Sequence, residues 1–357
     1  MQLSEFDYDL PEELIAQQPL PRRDASRMLV VNRDTQRFLD SKFETLPEYL
    51  QPGDVIVVNN TRVFPARLIG QRDPSGGRVE VLLVREIEAE DSSRTLGEST
   101  SQVWEALVRP GHRLKSGARI RFGSSSLQAE VLEDAPNGFR VLRFEGKQPL
   151  ETLIDELGET PLPPYIKRPE GTSPTDDERY QTVFASEKGA IAAPTAGLHF
   201  TPRVKEAILA RQARVIEITL HVGYGTFQPV RVNDLRQHRV DAEYYEISEE
   251  AARAINDSRG NGGRVIAVGT TTVRALESAA NADGLVRSEK KKTGLTIIPG
   301  YQFRVTDALL TNFHLPRSSL LLLVSAFAGQ NLTLEAYRKA VSSRFRFYSY
   351  GDCMLVI

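Results

Sequence analysis

Cysteine is nearly absent: Cys353 is the single one in 357 residues, which excludes an internal disulfide framework and every multi-cysteine zinc or iron–sulfur site. An excess of either charge is absent too. Forty-five Lys+Arg stand against 47 Asp+Glu for a net charge of −2, so a polyanion must be met by a local patch. Long apolar runs are missing. The longest, LLLLVSAFA from Leu320 to Ala328, is far too short to span a bilayer. The N-terminal MQLSEFDYDLPEELIAQQPLPRRD carries acids where a secretory signal requires a basic end and an apolar stretch. A cytoplasmic protein with no membrane anchor is expected. The five histidines (His112, His199, His221, His238, His314) include no i, i+4 ligand pair and no HExxH, so no metal site is expected. A zinc site assembled from distant histidines is the weaker alternative. No Gly-x-Ser-x-Gly elbow supports a serine hydrolase.

What is present is an ordinary globular composition, 40% hydrophobic and 26% charged, with length for about two domains. Asp54–Val58 (DVIVV) reads as a short buried strand. From Ala66 to about Leu150 short β-like runs (RLIG, RVEVLLV, VWEALV, RIRFG, LQAEVL, GFRVLRF) alternate with Gly, Pro and Asn turns, the texture of a small barrel or sandwich. Within it, Glu86–Gln102 is polar and acidic and is expected to be a long mobile loop. Beyond PLPPYIKRP, strands and helices alternate. Thr201–Ala213 is a helix with Thr201 as N-cap and Pro202 in the first turn, and Arg214–Leu220 is a strand. Ser248–Arg259 is a helix with Glu249 and Glu250 in its first turn, Arg264–Val268 a strand, and Thr270–Ala280 a helix. The expected fold class is α/β: a main, barrel-like α/β domain over residues 1–66 and 151–357, with residues 67–150 an inserted, small, all-β barrel-like domain. In the α/β part a ligand site belongs at the carboxyl ends of the strands.

Four segments cluster Gly, His and Thr at such ends. In APTAGLHFT, Thr195 and Gly197 allow close approach to the backbone, a helix N-terminus follows, and His199 projects into the same space. A tight turn with His199 as a cap or core residue is the structural alternative. In LHVGYGTF, His221 ends a strand and is followed by Gly223 and Gly225. A third Gly and a following helix are missing, so this is no dinucleotide fingerprint. In RVIAVGTTTVR a strand, Gly269 and the hydroxyls of Thr270, Thr271 and Thr272 make an anion cradle or a simple helix cap. It lacks the Gly-Lys-Ser/Thr of a P-loop, and a carboxylate or a ribose hydroxyl suits it as well as a phosphate. In TNFHLPRSS, Pro316 breaks regularity and puts His314 and Arg317 on a loop. FRFYSYGD near the C-terminus interleaves Arg with aromatics, either for stacking on bases or as a pair of core aromatics.

These segments do not stand alone. DYDLPEELIAQQPLPRRDASRMLVV, PGDVIVVNNTRVFPARL, PLPPYIKR, ERYQTVFA, AAPTAGLHFT, LHVGYGTFQPV, VIAVGTTTVRALESAA, PGYQFRVTDALLTNFHLPRSSLLLLVSAFAG and FRFYSYGDCMLVI run in order along nearly the whole chain. Together they closely resemble the S-adenosylmethionine:tRNA ribosyltransferase-isomerase family of queuosine biosynthesis. The resemblance implies an α/β domain with a β-barrel-like insertion. It implies transfer and isomerisation of the ribosyl group of S-adenosylmethionine onto the aminomethyl group of 7-aminomethyl-7-deazaguanine at the tRNA wobble position. The products are epoxyqueuosine-tRNA, adenine and methionine, and S-adenosylmethionine is a consumed substrate, with no separate cofactor.

That chemistry needs a base of near-neutral pKa to remove a ribose 5′ hydrogen acidified by the sulfonium, and an acid to help adenine leave. His199 or His221 is the expected base, with the other, or His314, assisting adenine. Thr195, Gly197, Gly223, Gly225, Gly269, Thr270, Thr271, Thr272 and Arg274 are candidates for holding S-adenosylmethionine, the last five for its carboxylate or ribose. For tRNA the candidates are Arg22, Arg23, Arg62, Arg344 and Arg346, with Tyr348 and Tyr350 for stacking, and Asn312 and Arg317 for a nearby anionic group. A monomer is expected. Thr296 stands where the family usually has an aromatic residue, and Gly294 replaces an acidic one. Cys353 reads as a buried hydrophobe rather than a nucleophile. A histidine-ligated metal hydrolase and a non-catalytic RNA-binding module are the competing readings.

Overall fold

A computed structural model describes residues 1–87, 100–135, 138–169, 171–227 and 229–357. The chain forms two compact units. One comprises Met1–Arg62, Pro163–Pro169 and Glu178–Ile357, the other Val63–Leu162 and Glu170–Asp177.

The first unit is built on a nine-stranded sheet. Across it the strands run Glu289–Thr293, Glu243–Ile247, Arg214–Leu220, Val55–Asn59, Val265–Val268, Ala308–Asn312, Cys353–Val356, Arg27–Asn32 and Arg37–Lys42. The third to sixth of these are mutually parallel, and most of the rest pair antiparallel. Val55–Asn59, Val265–Val268, Ala308–Asn312 and Cys353–Val356 are buried at every position. This is why they read as unbroken apolar runs: both faces of the sheet are covered. On one face Val55, Val57, Val265, Ala267 and Leu309 pack with Ile255, Val273, Leu276 and Leu322 of the flanking helices. On the other, Ile56, Val58, Ile266 and Leu310 pack with Val204 and Ile208.

The helices lie close to the expected bounds. Thr201 caps Pro202–Ala210 by accepting from Val204 N at 3.3 Å, and Ser248 caps Glu249–Gly260 by accepting from Ala251 N at 3.1 Å. The apolar run at Leu320 is the helix Ser319–Ala328. It is bent by 116° from Gln330–Ser342 at Gly329, whose φ of +89° a side chain would disfavour. Among the described residues no single helix is long and apolar enough to cross a membrane.

One expectation is corrected. The α/β unit is not barrel-like but an open sheet, since its end strands pair with no further strand. Both ends, EKKKT at Glu289–Thr293 and RFLDSK at Arg37–Lys42, carry exposed charged side chains, which suit a free edge.

Closure occurs in the second unit. Arg67–Asp73, Arg78–Ile87, Thr100–Arg109, Phe139–Gly146, Gln128–Asp134 and Arg119–Arg121 form a ring of six strands, the last pairing back onto the first. Gly70 permits that closure, because a β-carbon there would lie 2.7 Å from Ile120 Cγ2. The helix Leu150–Leu157 buries Leu150, Leu153 and Ile154 within this unit, so the unit extends past the expected boundary at residue 150. The expected loop over 86–102 is shorter at both ends. Glu86, Ile87 and Thr100–Gln102 lie in strands, and 88–99 lies outside the described residues.

At the amino ends of the two central strands, buried Asp54 binds Arg264. Its Oδ1 accepts from Arg264 N at 2.9 Å, and its Oδ2 accepts from Arg264 Nη2 at 2.6 Å and from Gln51 N at 2.8 Å. Asp54→Ala leaves these donors without an acceptor. It is expected to cost about 2–3 kcal/mol, read in urea as a lower midpoint with unchanged m.

Candidate active site

The carboxyl ends of three of the parallel strands meet around a cleft enclosing about 580 Å³, open solvent included. Val222 follows Arg214–Leu220, Gly269, Thr270 and Thr271 follow Val265–Val268, and Thr311 to His314 end Ala308–Asn312. Thr195 and Tyr180 line it as well, as do Tyr165, Tyr348 and Ser349. Gly269 has φ +89° and caps Thr270–Ala279, whose amino end abuts the cleft, a favourable place for negative charge. A second cleft, of about 480 Å³, shares Thr226 and Leu320 with the first and is lined by Gly225, Asp241, Glu243, Arg274 and Thr296. A third, of about 270 Å³, shares Ser349 with the first and is lined by Arg23, Ser26, Arg179, His199 and Tyr350.

His199 ends the turn Thr195–His199 and is only 3% exposed. Its Nδ1 lies 2.9 Å from Ser26 Oγ. That hydroxyl also lies within reach of Arg23 O, at 3.3 Å. The other ring nitrogen, Nε2, is buried, and Asn312 hydrogen-bonds the ring. Burial lowers its pKa from 6.5 to about 4. Asn312 opposes this by hydrogen bonding, and Arg23 and Arg346 add to it by repulsion.

The other two histidines are differently placed. His221 does not line any of the three clefts. Its Nδ1 is 2.7 Å from Thr61 Oγ1, its ring stacks on Tyr244 at 5.5 Å, and Gly189 lies so close that a β-carbon there would be 2.7 Å from Nε2. His314 does reach the cleft, but its Nε2 is 2.8 Å from Thr311 Oγ1, and burial pushes its pKa down to about 3. At neutral pH its imidazole rests uncharged, which makes it a weak proton donor to adenine.

Comparison with known proteins agrees with this architecture. A model of the family described as queuosine biosynthesis protein matches residues 3–356. The S-adenosylmethionine:tRNA ribosyltransferase-isomerase of Pelotomaculum thermopropionicum is 50% identical over 100% of both chains. That of Natranaerobius thermophilus is 48% identical, over 100% of this chain and 99% of its own. The chain belongs to the queuosine biosynthesis protein family. The crystal structure of S-adenosylmethionine tRNA ribosyltransferase from Thermotoga maritima is similar in fold, with 38% identity, a TM-score of 0.54, and 99% and 100% of the two chains covered. The chain is thus an enzyme of a transferase-isomerase family.

Within this family member the other expected residues divide clearly. Thr195, Gly269, Thr270 and Thr271 line the main cleft. Thr272 does not, because its hydroxyl donates to Val268 O at 2.7 Å inside the helix. Gly197 is a packing residue, its missing β-carbon making room for Thr182 Cγ2 at 2.9 Å. Gly223 N donates to Glu243 Oε1 at 2.8 Å, and Gly225 lies against Asp241 in the second cleft. The Arg274 guanidinium is committed to buried Glu243 and to the carbonyls of Leu295 (3.0 Å) and Thr293 (3.2 Å), so it is no free carboxylate clamp.

Of the cationic candidates, Arg22, Arg62, Arg317 and Arg344 are exposed, with Arg22 paired to Asp24 and Glu44 and Arg317 to Asp7. Arg23 is turned inward onto the carbonyls of Glu178, Arg179 and Leu198, and Arg346 onto that of Gln18. Tyr350 is buried, and Tyr348 and Asn312 line the cleft, so these three are not surface contacts. Asn312 does not suit an anion, because its amide protons go to Tyr348 O and Ser349 O. Thr296 Oγ1 accepts from Val240 N at 3.1 Å, a backbone tie at the position where it departs from the family pattern. Cys353 is fully buried and burial pushes its thiol pKa up, as a packing residue requires.

Residue-type reasoning passed over Ser26, Tyr165, Tyr180, Glu243 and Ser349. All except Glu243 sit inside the quoted motifs, but a Ser or Tyr there carries no sign of facing inward until the fold closes. Among the described residues no three His, Cys, Asp or Glu side chains converge on a metal-sized space.

The buried histidines make stability fall in acid. Both fold with pKa values below 6.5, so the unfolded chain binds the extra protons. Their stabilising contribution is therefore complete above pH 6.5 and is lost as pH falls from there toward 4 and 3. Between pH 7.5 and 5 the two together remove on the order of 4 kcal/mol. Urea midpoints across that range test this, and His314→Gln should roughly halve the slope.

Proposed function

We propose that this enzyme transfers and isomerises the ribosyl group of S-adenosylmethionine onto the aminomethyl group of 7-aminomethyl-7-deazaguanine in tRNA. Epoxyqueuosine-tRNA, adenine and methionine are the products, and S-adenosylmethionine is a consumed substrate with no separate cofactor. Beyond family membership, the observation that carries this reading is His199. It is a buried, uncharged imidazole held by Ser26 at 2.9 Å, and it lines a cleft that shares Ser349 with the one lined by Thr270 and Thr271.

The sulfonium makes the adjacent ribose 5′ hydrogens acidic, and an uncharged imidazole is the form that can take one up as a proton. Elimination then opens the sugar and expels adenine. The amine of the modified base attacks the activated sugar, and closure to the epoxide expels methionine. His199 is the base in this scheme, in preference to His221, which lines none of the three clefts. Thr270 and Thr271 at the helix start offer hydroxyls and backbone N–H groups to the donor's carboxylate or ribose. Exposed Arg22, Arg62, Arg317 and Arg344 are the cations left for tRNA phosphates, and binding through them weakens with salt.

The test is incubation with S-adenosylmethionine and tRNA bearing 7-aminomethyl-7-deazaguanine, assaying free adenine and the mass of the tRNA nucleoside. Adenine, methionine and an epoxyqueuosine-mass nucleoside are expected together. His199→Ala should slow turnover about 100- to 10,000-fold with folding intact. In the kcat/KM profile the acid limb should lie near pH 4 rather than 6.5, because the base works only when unprotonated. Tight tRNA binding without any adenine would instead make the protein a binder and overturn the proposal.

A further inference from the structure

The first two clefts adjoin, sharing Thr226 and Leu320, yet their linings differ in charge. Among the described residues not one Asp, Glu, Lys or Arg lines the main cleft. Its walls are aromatic and small: Tyr165, Tyr180, Phe313 and Tyr348, with Ala192 and Ala193. The second cleft carries three charged side chains, Asp241, Glu243 and Arg274, two acids and one base for a sum of −1. Glu243 and Arg274 answer each other, being ion-paired and buried. The remaining carboxylate oxygen of Glu243 accepts from Gly223 N at 2.8 Å and from Thr226 Oγ1 at 3.3 Å. The charge of Asp241 is left uncompensated. Its carboxylate is exposed and has neither a hydrogen bond nor an ion pair among the described residues. Gly225 gives it room at the cleft wall, since a β-carbon there would lie 2.5 Å from Oδ2.

We propose that S-adenosylmethionine lies across both clefts, its adenine in the uncharged one and its methionyl end in the charged one, with the α-ammonium on Asp241. This placement rests on the reaction proposed above and adds where each end of the donor sits. The donor is itself divided in the same way. Adenine is flat and uncharged, whereas the sulfonium, ammonium and carboxylate at the other end carry one net positive charge between them, opposite to the second cleft. Inside the main cleft those three groups would lose water and meet no counter-charge. Aromatic walls with a few hydroxyls are instead what a nucleobase needs. The ribose then stays in the main cleft, with the hydroxyls of Thr270 and Thr271. Ser319 opens the helix Ser319–Ala328 and lines the second cleft beside Asp241, so the partial positive charge of that helix start favours the donor's carboxylate.

The test compares two ligands that share the adenosine half: S-adenosylmethionine, and 5′-methylthioadenosine, in which an uncharged methyl thioether replaces the methionyl end. Their dissociation constants are measured by titration calorimetry on the full chain, alone and with tRNA whose wobble base is guanine, so that no turnover occurs. Asp241→Asn should weaken S-adenosylmethionine about tenfold or more, the size of a lost hydrogen bond between charged groups, and leave methylthioadenosine within about twofold. Gly225→Ala, which displaces the Asp241 carboxylate, should show the same selectivity in smaller measure. Thr195→Leu, in the main cleft, should weaken both ligands about equally. If Asp241→Asn weakens both ligands alike, or neither, or if Thr195→Leu weakens S-adenosylmethionine alone, the placement is overturned. Adenine release by the unaltered enzyme would in that case leave the proposed reaction standing. Unaltered enzyme that binds neither ligand under either condition would overturn the reaction and the placement together.

Discussion

Polar side chains buried at the carboxyl ends of the parallel strands are what the candidate site depends on. The parallel sheet is covered on both faces, so anything at its carboxyl edge that points inward is cut off from water. Water removal is what turns His199 from an ordinary histidine into one that rests unprotonated, and the neighbouring guanidiniums push in the same direction. An imidazole of the same sequence context on an open loop would share its proton with solvent near pH 6.5.

The rest of the unit serves to hold that edge still. Asp54 and Arg264 bind the opposite ends of the central strands, and buried Glu277 accepts the backbone N–H groups of Arg304, Val305 and Thr306 at 2.8–3.1 Å, fixing the approach to Ala308–Asn312. Glu243 and Arg274 form a further buried pair beside the second cleft, with Gly223 N and Thr226 Oγ1 on the remaining carboxylate oxygen. Such a pair contributes little net stability, but removing either member leaves a buried charge unmatched. Its value is geometric: it ties the Gly223–Thr226 segment and the helix Thr270–Ala279 to one point. Arginine plays the same part elsewhere, since Arg23, Arg179 and Arg346 all donate to backbone carbonyls rather than waiting on the surface.

Legibility in the sequence followed how local each feature is. Strands such as Arg214–Leu220 and helix caps such as Thr201 and Ser248 were readable because periodicity and capping are decided within a few residues. The inserted barrel was readable from short strands at regular turns. The open edge of the main sheet was not, because whether a sheet closes depends on strands far apart in the chain, Glu289–Thr293 and Arg37–Lys42. Thr270, Thr271 and Thr272 are alike in sequence, yet the third bonds back to Val268 O, since successive helical residues point about 100° apart. Arg23 and Arg346 read as surface cations, and only the packed fold reveals the carbonyls that claim them.

The sequence by itself determined the order of elements, the β-barrel insertion, the family and the segments from which the site is built. Those follow from side-chain patterns and motifs whose meaning does not depend on distant neighbours. Tertiary structure alone decided which histidines are buried and which groups hold them. His199 is held by Ser26 and Asn312, which are 173 and 113 residues away from it along the chain and adjacent to it only once the strands pair. Protonation state is a property of surroundings, and surroundings exist only after folding.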